Sequence, residues 1–429
     1  MFGCKAIRLD KKLVNRLKCN FEISGFLDNK RMKLKFTVIV TFCISLLMIG
    51  CGDEVTMKSR SSTVFYHETG GEKLENVISL NDGGFLYFGS SLNRGFAMRV
   101  SADGTKLWYK IVEASVSEIF EGAVELPGGK FILVGTTEAD SESLDKEAGT
   151  VVQLSGSGEV EWNKVYSGDD DQSLKAVTIT PENHIVATGY VIPSDADTWI
   201  LKLNMDGAVI WSRDYTMLSP WHDVGTSIIV TSKGNYAVCG ISSPNSTAVG
   251  NGNMDTYLLA VDPNTAEIAW GRPHRSFPNS DYNWRYPKVV EVSNGFMWAN
   301  SIYDQDSILY IQLVKTDLGG VAQFDKRYYG LGSAEFGGIQ KIGNDEIIIN
   351  GNSREISSAV KTGNSMVLRI NAAGEELWSA YHGENSNLET CKGTRATPTG
   401  FVHAGNSLDS KGVNTMMLYR TDKNGNLLE

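Results

Sequence analysis

Cysteine is scarce, with six in 429 residues, and Cys4, Cys19 and Cys43 fall in the first fifty. A disulfide-stapled scaffold is therefore excluded. Cys239 and Cys391 lie several repeats apart inside predicted strands and read as buried small hydrophobes. Proline is also low, 10 against 44 glycines, which argues for many tight turns and against a disordered low-complexity chain. Basic residues are outnumbered, and a net charge of −10 excludes the basic face that nucleic acid requires. The chain has no HExxH, no Cys-x-x-Cys, no nucleophile elbow and no glycine-rich phosphate loop, so none of these signatures announces catalysis, which is not thereby excluded. A calcium loop would need several oxygen ligands in one short segment, and none is found. No metal site is expected, although the sequence leaves calcium open.

The most apolar run, Phe36 to Ile49 (FTVIVTFCISLLMI), is too short for a comfortable membrane span. Lys33 and Lys35 precede it and Gly50-Cys51 follow, which is a signal-peptide layout; an uncleaved signal anchor is the alternative. The junction LLMIGC resembles the bacterial lipobox, with Met48 where leucine is most usual. That resemblance implies lipidation of Cys51 and a membrane anchor of more than one acyl chain. Met32 opens a complete signal and is the expected start. Residues 1–50 would then be an upstream extension with signal peptide, 51–62 a lipidated linker, and 63–429 the folded domain. Asp53-Glu54 behind the cysteine resembles the surface-export signal of some Bacteroidetes lipoproteins. The expected location is the bacterial cell envelope, at the outer membrane and facing outward.

Beyond the linker the chain repeats one phrase seven times, a strand that ends near glycine, as in GGKFILVGTT and KGNYAVCGIS. The aligned position reads Gly89, Gly135, Gly189, Gly240, Asn300, Gly351 and Gly405, a spacing of roughly 50 residues. Another short strand precedes each copy across a tight turn, and a hairpin such as FAMRVSADGTKLWYKI follows it. Four strands per copy, a to d, make a blade. The expected fold is all-β, a seven-bladed β-propeller of four-stranded blades. The last copy stops after its c strand, Thr415 to Asp422, while Thr63 to Gly71 precedes the first whole blade. Val64 to His67 should therefore supply the missing d strand, with Tyr66-His67 level with Tyr381-His382, and close the ring.

The repeated glycine strand followed by Asp-x-x-Gly and tryptophan resembles bacterial lipoproteins built from delta-60-type or quinoprotein-like (PQQ-like) propeller repeats. Trp108, Trp162, Trp211, Trp270 and Trp378, with Phe324 in one copy, then correspond to the docking tryptophans of that family. A residue needed once per blade is a packing residue. A quinoprotein dehydrogenase of that kind would have eight blades, calcium-binding carboxylates and often adjacent cysteines. Seven copies and no such cysteines make pyrroloquinoline quinone unlikely, and no cofactor is expected. The Asp/Asn and Ser/Thr pairs that open several c strands, such as Asp197-Thr198 and Asn364-Ser365, should bond locally to backbone.

Loop length separates the two ends of the ring. The a-b and c-d turns are short, whereas b-c and d-a connections are long and irregular, as in Thr136 to Gly149, Ile241 to Asn253 and Gly271 to Pro287. The last carries Arg272, His274, Arg275, Tyr282, Trp284 and Arg285, and the preceding junction carries Trp221, His222 and Asp223. Rings beside Arg, His and Asp suit a sugar or a protein partner. The same residues would equally pack a long loop onto the scaffold. The first reading is a non-catalytic envelope scaffold for a protein or glycan partner. The alternatives are an enzyme at the axial funnel, with His222, Asp223 or His274 in acid-base roles, and an outer-membrane assembly factor; the protein that the latter resembles has eight blades.

Overall fold

The computed structural model describes residues 63–66, 68, 71–112, 117–140, 143–192, 196–217, 222–243, 255–274, 285–304, 306–355, 363–383 and 387–428. Cys51, Met32 and the signal peptide lie outside them. The described chain is all strand and turn, in seven four-stranded antiparallel sheets. Six blades are built from consecutive strands, beginning at Glu72, Glu118, Asp171, His222, Arg285 and Ser333. The seventh takes Leu388–Ala396, Gly400–Leu408 and Asn414–Asp422, and its outer strand is Val64–Tyr66. Each a strand touches the a strands of its two neighbours, the first meeting the last, so the sheets form a ring with the a strands around the axis. The protein is a seven-bladed β-propeller.

Residue types decide the layers. The b and c strands are sandwiched between neighbouring blades, and Phe85–Ser91 and Asp255–Val261 are buried along their whole length. The d strands are the outer wall and carry the exposed positions, as in Val160–Tyr166 and Ala322–Tyr328. Core packing therefore lies between blades, where neighbouring sheets stack face to face. The short turns close on themselves: Gly158 N donates to Ser155 O at 3.0 Å and Ser155 N to Glu159 O at 2.8 Å. In others an Asp carboxylate completes the turn, as where Asp317 Oδ1 accepts from Gly319 N and Val321 N, both at 2.9 Å.

The recurring tryptophans are interblade wedges. Trp108 Nε1 donates to Gly156 O of the next blade at 2.9 Å, and the ring meets Phe131 edge-on at 6.0 Å. A Cβ on Gly158, at φ +84°, would fall 2.9 Å from that indole, so the turn glycine serves both backbone conformation and docking. Trp162, Trp270, Phe324 and Trp378 meet Gly207, Gly320, Gly374 and Gly425 in the same way, and Trp211 Nε1 donates to Pro263 O at 3.3 Å. Four residues after each aromatic in three blades, Tyr166, Tyr215 and Tyr328 donate their hydroxyls to Gly207 O, Ala266 O and Gly374 O.

The same rule holds at the joint. Val64, Phe65 and Tyr66 pair with Leu418, Met417 and Met416, and the Tyr66 hydroxyl donates to Gly104 O of the first blade at 2.7 Å. The register differs from expectation by one residue. Gly351 faces Met366 and Gly405 faces Met417, so Tyr66 is level with His382 and Phe65 with Tyr381. A one-residue shift exchanges faces, and it is this shift that turns Tyr66 inward. His67 lies outside the described residues.

The repeated glycine sits in the middle of its strand and not near its end, opposite a β-bulge. Every a strand shifts register here, at Leu74/Asn76, Phe120/Gly122, Leu174/Ala176, Gly225/Ser227, Arg285/Lys288, Phe336/Gly338 and Cys391/Gly393. The bulge pushes a carbonyl into the space a side chain would fill: a Cβ on Gly135 or Gly189 would lie 1.8 Å from Ile119 O or Ser173 O. In the fifth blade the shift spans two residues, Tyr286 and Pro287, and there Asn300 replaces glycine.

Two further expectations are corrected. The segment Thr136 to Gly149 is no irregular loop: Phe131–Asp140 and Ser143–Leu154 continue through it as a paired hairpin, with Glu138 opposite Glu147. Two of the Ser/Thr residues opening the c strands bond between blades, Thr198 to Tyr257 and Ser365 Oγ to Tyr419 Oη at 2.6 Å, and Asn414 Nδ2 reaches Glu72 O at 2.9 Å, whereas Thr256 Oγ1 donates to backbone in its own blade, His274 O at 3.4 Å. Blade stacking brings the interblade partners closer than the local backbone. Cys239 and Cys391 are buried and unbridged.

Candidate functional site

The expected ligand face is only partly described. Trp221, Arg275, Tyr282 and Trp284 lie outside the described residues, as does the side chain of Arg285, whose backbone pairs with Ser301. The others do not converge. His222 and Asp223 begin an a strand, whereas Arg272 and His274 end the d strand of the same blade. Three strand spacings, about 14 Å, separate those edges. Asp223 is fully buried; its Oδ2 accepts from Met217 N at 2.5 Å and its own N–H donates to Ala196 O at 2.7 Å. His222 Nδ1 accepts from Ala196 N at 2.8 Å. His274 Nε2 lies 3.1 Å from Asp325 Oδ2, which also accepts from Gln312 Nε2 at 2.7 Å, and its ring meets Trp298 edge-on at 5.7 Å. These contacts tie blade three to four and four to five. Arg272 is exposed, with its guanidinium on Gly271 O.

The bulges build a different site. In six blades the extra residue of the bulge, Glu75, Glu121, Lys175, Thr226, Gly337 or Lys392, lines a cavity of about 350 Å³ on the axis, and in blade five Lys288, the first paired residue after the bulge, lines it too. Glu121 and Lys175 form an ion pair, and Lys175 also lies 5.4 Å from the Tyr190 ring centre. Burial pushes the Glu121 carboxyl up, against the opposing pull of the Lys175 ammonium. Lys392 Nζ donates to Leu74 O at 2.9 Å and Glu75 O at 2.8 Å. Lys288 crosses the axis from blade five to blade one, donating to Asn76 Oδ1 at 3.0 Å, and also reaches Gly337 O at 3.1 Å. A second cavity of about 260 Å³ shares Asn76, Ile78, Lys288 and Lys392 with the first.

Three residues before the bulge, four a strands carry a buried carboxylate: Glu72, Glu118, Asp223 and Glu389. Sequence reasoning singled out only Asp223. The signal was a charged residue at one aligned position, visible once the a strands are set in register. Glu118 is 1% exposed, with Thr150 Oγ1 donating to Oε1 at 3.1 Å and no hydrogen-bond partner for Oε2. Burial lifts its pKa from 4.5 to about 7, partly offset by the Thr150 bond. Between those values the folded chain holds a proton that the unfolded chain has released, so stability falls as pH rises through this window and the cost is complete above it. Glu118→Gln is expected to stabilise the fold by up to about 3 kcal/mol at pH 8 and by nothing at pH 4. Urea midpoints of both chains at the two pH values check this; an equal difference at both would overturn it.

Among the described residues no cluster of three or more His, Cys, Asp or Glu is placed to hold a metal ion. No known family's profile matches the chain, and no curated protein matches it. Solved structures do. The WD40 domain of Neurospora crassa Pan2 aligns with a TM-score of 0.50 at 12% identity, over 84% of this chain and 96% of that one. YCF48 bound to a D1 peptide gives 0.49 at 10%, over 86% and 98%. A puromycin hydrolase gives 0.48 at 11%, over 83% of this chain and 54% of the enzyme. At such identities the likeness is one of fold alone, and the fold is that of the β-propeller proteins.

Proposed function

We propose that the chain is a cell-envelope lipoprotein, anchored through Cys51, whose propeller presents its long-connection face to a protein or glycan partner. The asymmetry of the ring carries this reading. The short turns close on their own backbone bonds. At the opposite end, Ser243 and Asp255 flank one long connection of blade four, and His274 and Arg285 flank the next, between blades four and five. Long segments on a rigid scaffold are where recognition residues are usually carried. Arg275, Tyr282 and Trp284 in the second connection supply rings and a guanidinium suited to stacking on a sugar or anchoring a protein surface. The lipobox-like junction supports the anchor, and the structural contacts of Asp223 and His274 favour recognition over acid-base chemistry.

Expressing the full chain in a bacterial envelope tests both parts. Labelled palmitate should be incorporated by the wild type and lost in Cys51→Ser, with release of the protein from membranes. On a glycan array, or by crosslinking to envelope proteins in intact cells, Arg275→Ala/Trp284→Ala should lose the wild-type ligand while melting unchanged. Persistent label in Cys51→Ser would remove the anchor. An unchanged ligand profile in the double variant would remove the proposed face.

A further inference from the structure

The ring axis has the makings of a second site, independent of the long-connection face. We infer that the axial cavity binds a compact oxyanion, the carboxylate or phosphate group of a small molecule. Its lining holds Lys175, Lys288 and Lys392 against Glu75 and Glu121, one positive charge in excess inside a chain whose total is −10. Glu121 is already paired with Lys175, and the Glu75 carboxylate lies 2.6 Å from Lys73 Nζ.

The other two lysines come from different blades and converge on one bulge. Lys392 reaches the carbonyls of Leu74 and Glu75, and Lys288 reaches the Asn76 amide next to them. Two ammonium groups thus stand over three consecutive residues, where an oxyanion can compete with the Leu74 and Glu75 carbonyls and the Asn76 amide oxygen for their protons. Ser227 Oγ, also in the lining, accepts from Val289 N at 3.2 Å, which leaves its hydroxyl proton for a ligand. About 350 Å³ is the size of a small-molecule pocket, and low-dielectric walls focus the lysine field on whatever enters. Interblade bracing alone would not require two cations on one bulge. At the bulge position that Lys392 occupies, blades one and two carry glutamate and blade six glycine; at the position that Lys288 occupies, they carry asparagine, glycine and glycine.

Calorimetric titration of the full chain with inorganic phosphate and with succinate, at constant ionic strength set with chloride, tests the inference. At least one ion should give saturable heat. Lys288→Met should weaken that binding tenfold or more, with circular dichroism confirming the fold. Phosphate alone, or succinate alone, would identify the source of the oxyanion. In the wild type, the bound ion should also protect Lys288 and Lys392 from reductive methylation, a readout that needs no variant to fold. No saturable heat with either ion, undiminished binding in Lys288→Met, or unprotected lysines would overturn the site. None of these results depends on palmitate labelling or on the long-connection ligand.

Discussion

Alanine at Gly189 should destabilise the propeller by about 3 kcal/mol or more, the range of severe backbone strain and overpacking. The added Cβ would fall 1.8 Å from Ser173 O and 2.9 Å from Leu174 Cα, so backbone and not a flexible side-chain tip would have to move. That backbone belongs to a bulge at the axis, packed against the neighbouring a strands. Gly234 is the control: its φ is +86°, but a Cβ there meets nothing within 4 Å. Gly234→Ala should cost only about 1 kcal/mol, the usual left-handed penalty. Urea unfolding of the two variants separates the explanations. Gly189 is not in the left-handed region, so a loss no greater than that of Gly234→Ala would mean that the bulge carbonyl does not select glycine in the repeat.

Deleting the chain through Tyr66 should have a still larger effect. It would remove the outer strand of blade seven, bare the Met416–Leu418 edge and take away the Tyr66 bond to Gly104 of blade one. Tyr66→Phe alone should cost about 1 kcal/mol, one buried hydrogen bond. The truncated chain should melt well below that variant and self-associate through the open edge. Adding the peptide TVFYHETGG in excess should restore the monomer by strand addition. A truncated chain that stays monomeric and melts with the wild type would show that the joint contributes nothing.

The sequence made the ring legible because each blade writes its own local chemistry. Turn residues, strand lengths and a docking aromatic per copy are all short-range signals, and they led to seven blades of four strands. What stayed hidden depends on pairing between strands. The role of Gly189 lies in the Ser173 carbonyl sixteen positions away. The one-residue shift of Tyr66 follows from a partner at Met416, which no local pattern could fix. His222 and His274 look like neighbours in a list of polar loop residues, yet they stand on opposite edges of one blade. The axial lysines were missed for a related reason. Lys175, Lys288 and Lys392 sit in strands of ordinary composition; Lys175 and Lys392 are the extra residues of their bulges and Lys288 follows one, which only the strand pairing reveals.

The joint also sets an order of events. Val64 and Leu418 lie near the two ends of the chain, yet they are partners in one sheet. Six blades can zip from consecutive hairpins as they are made, each closing loops of modest length. The seventh must wait for the last c strand to meet a strand synthesised first. Until then Val64–Tyr66 has no sheet to join, and the nascent molecule carries open β edges at both ends. The slowest and most aggregation-exposed step of folding should therefore be ring closure, at concentrations where another chain can offer the same strand.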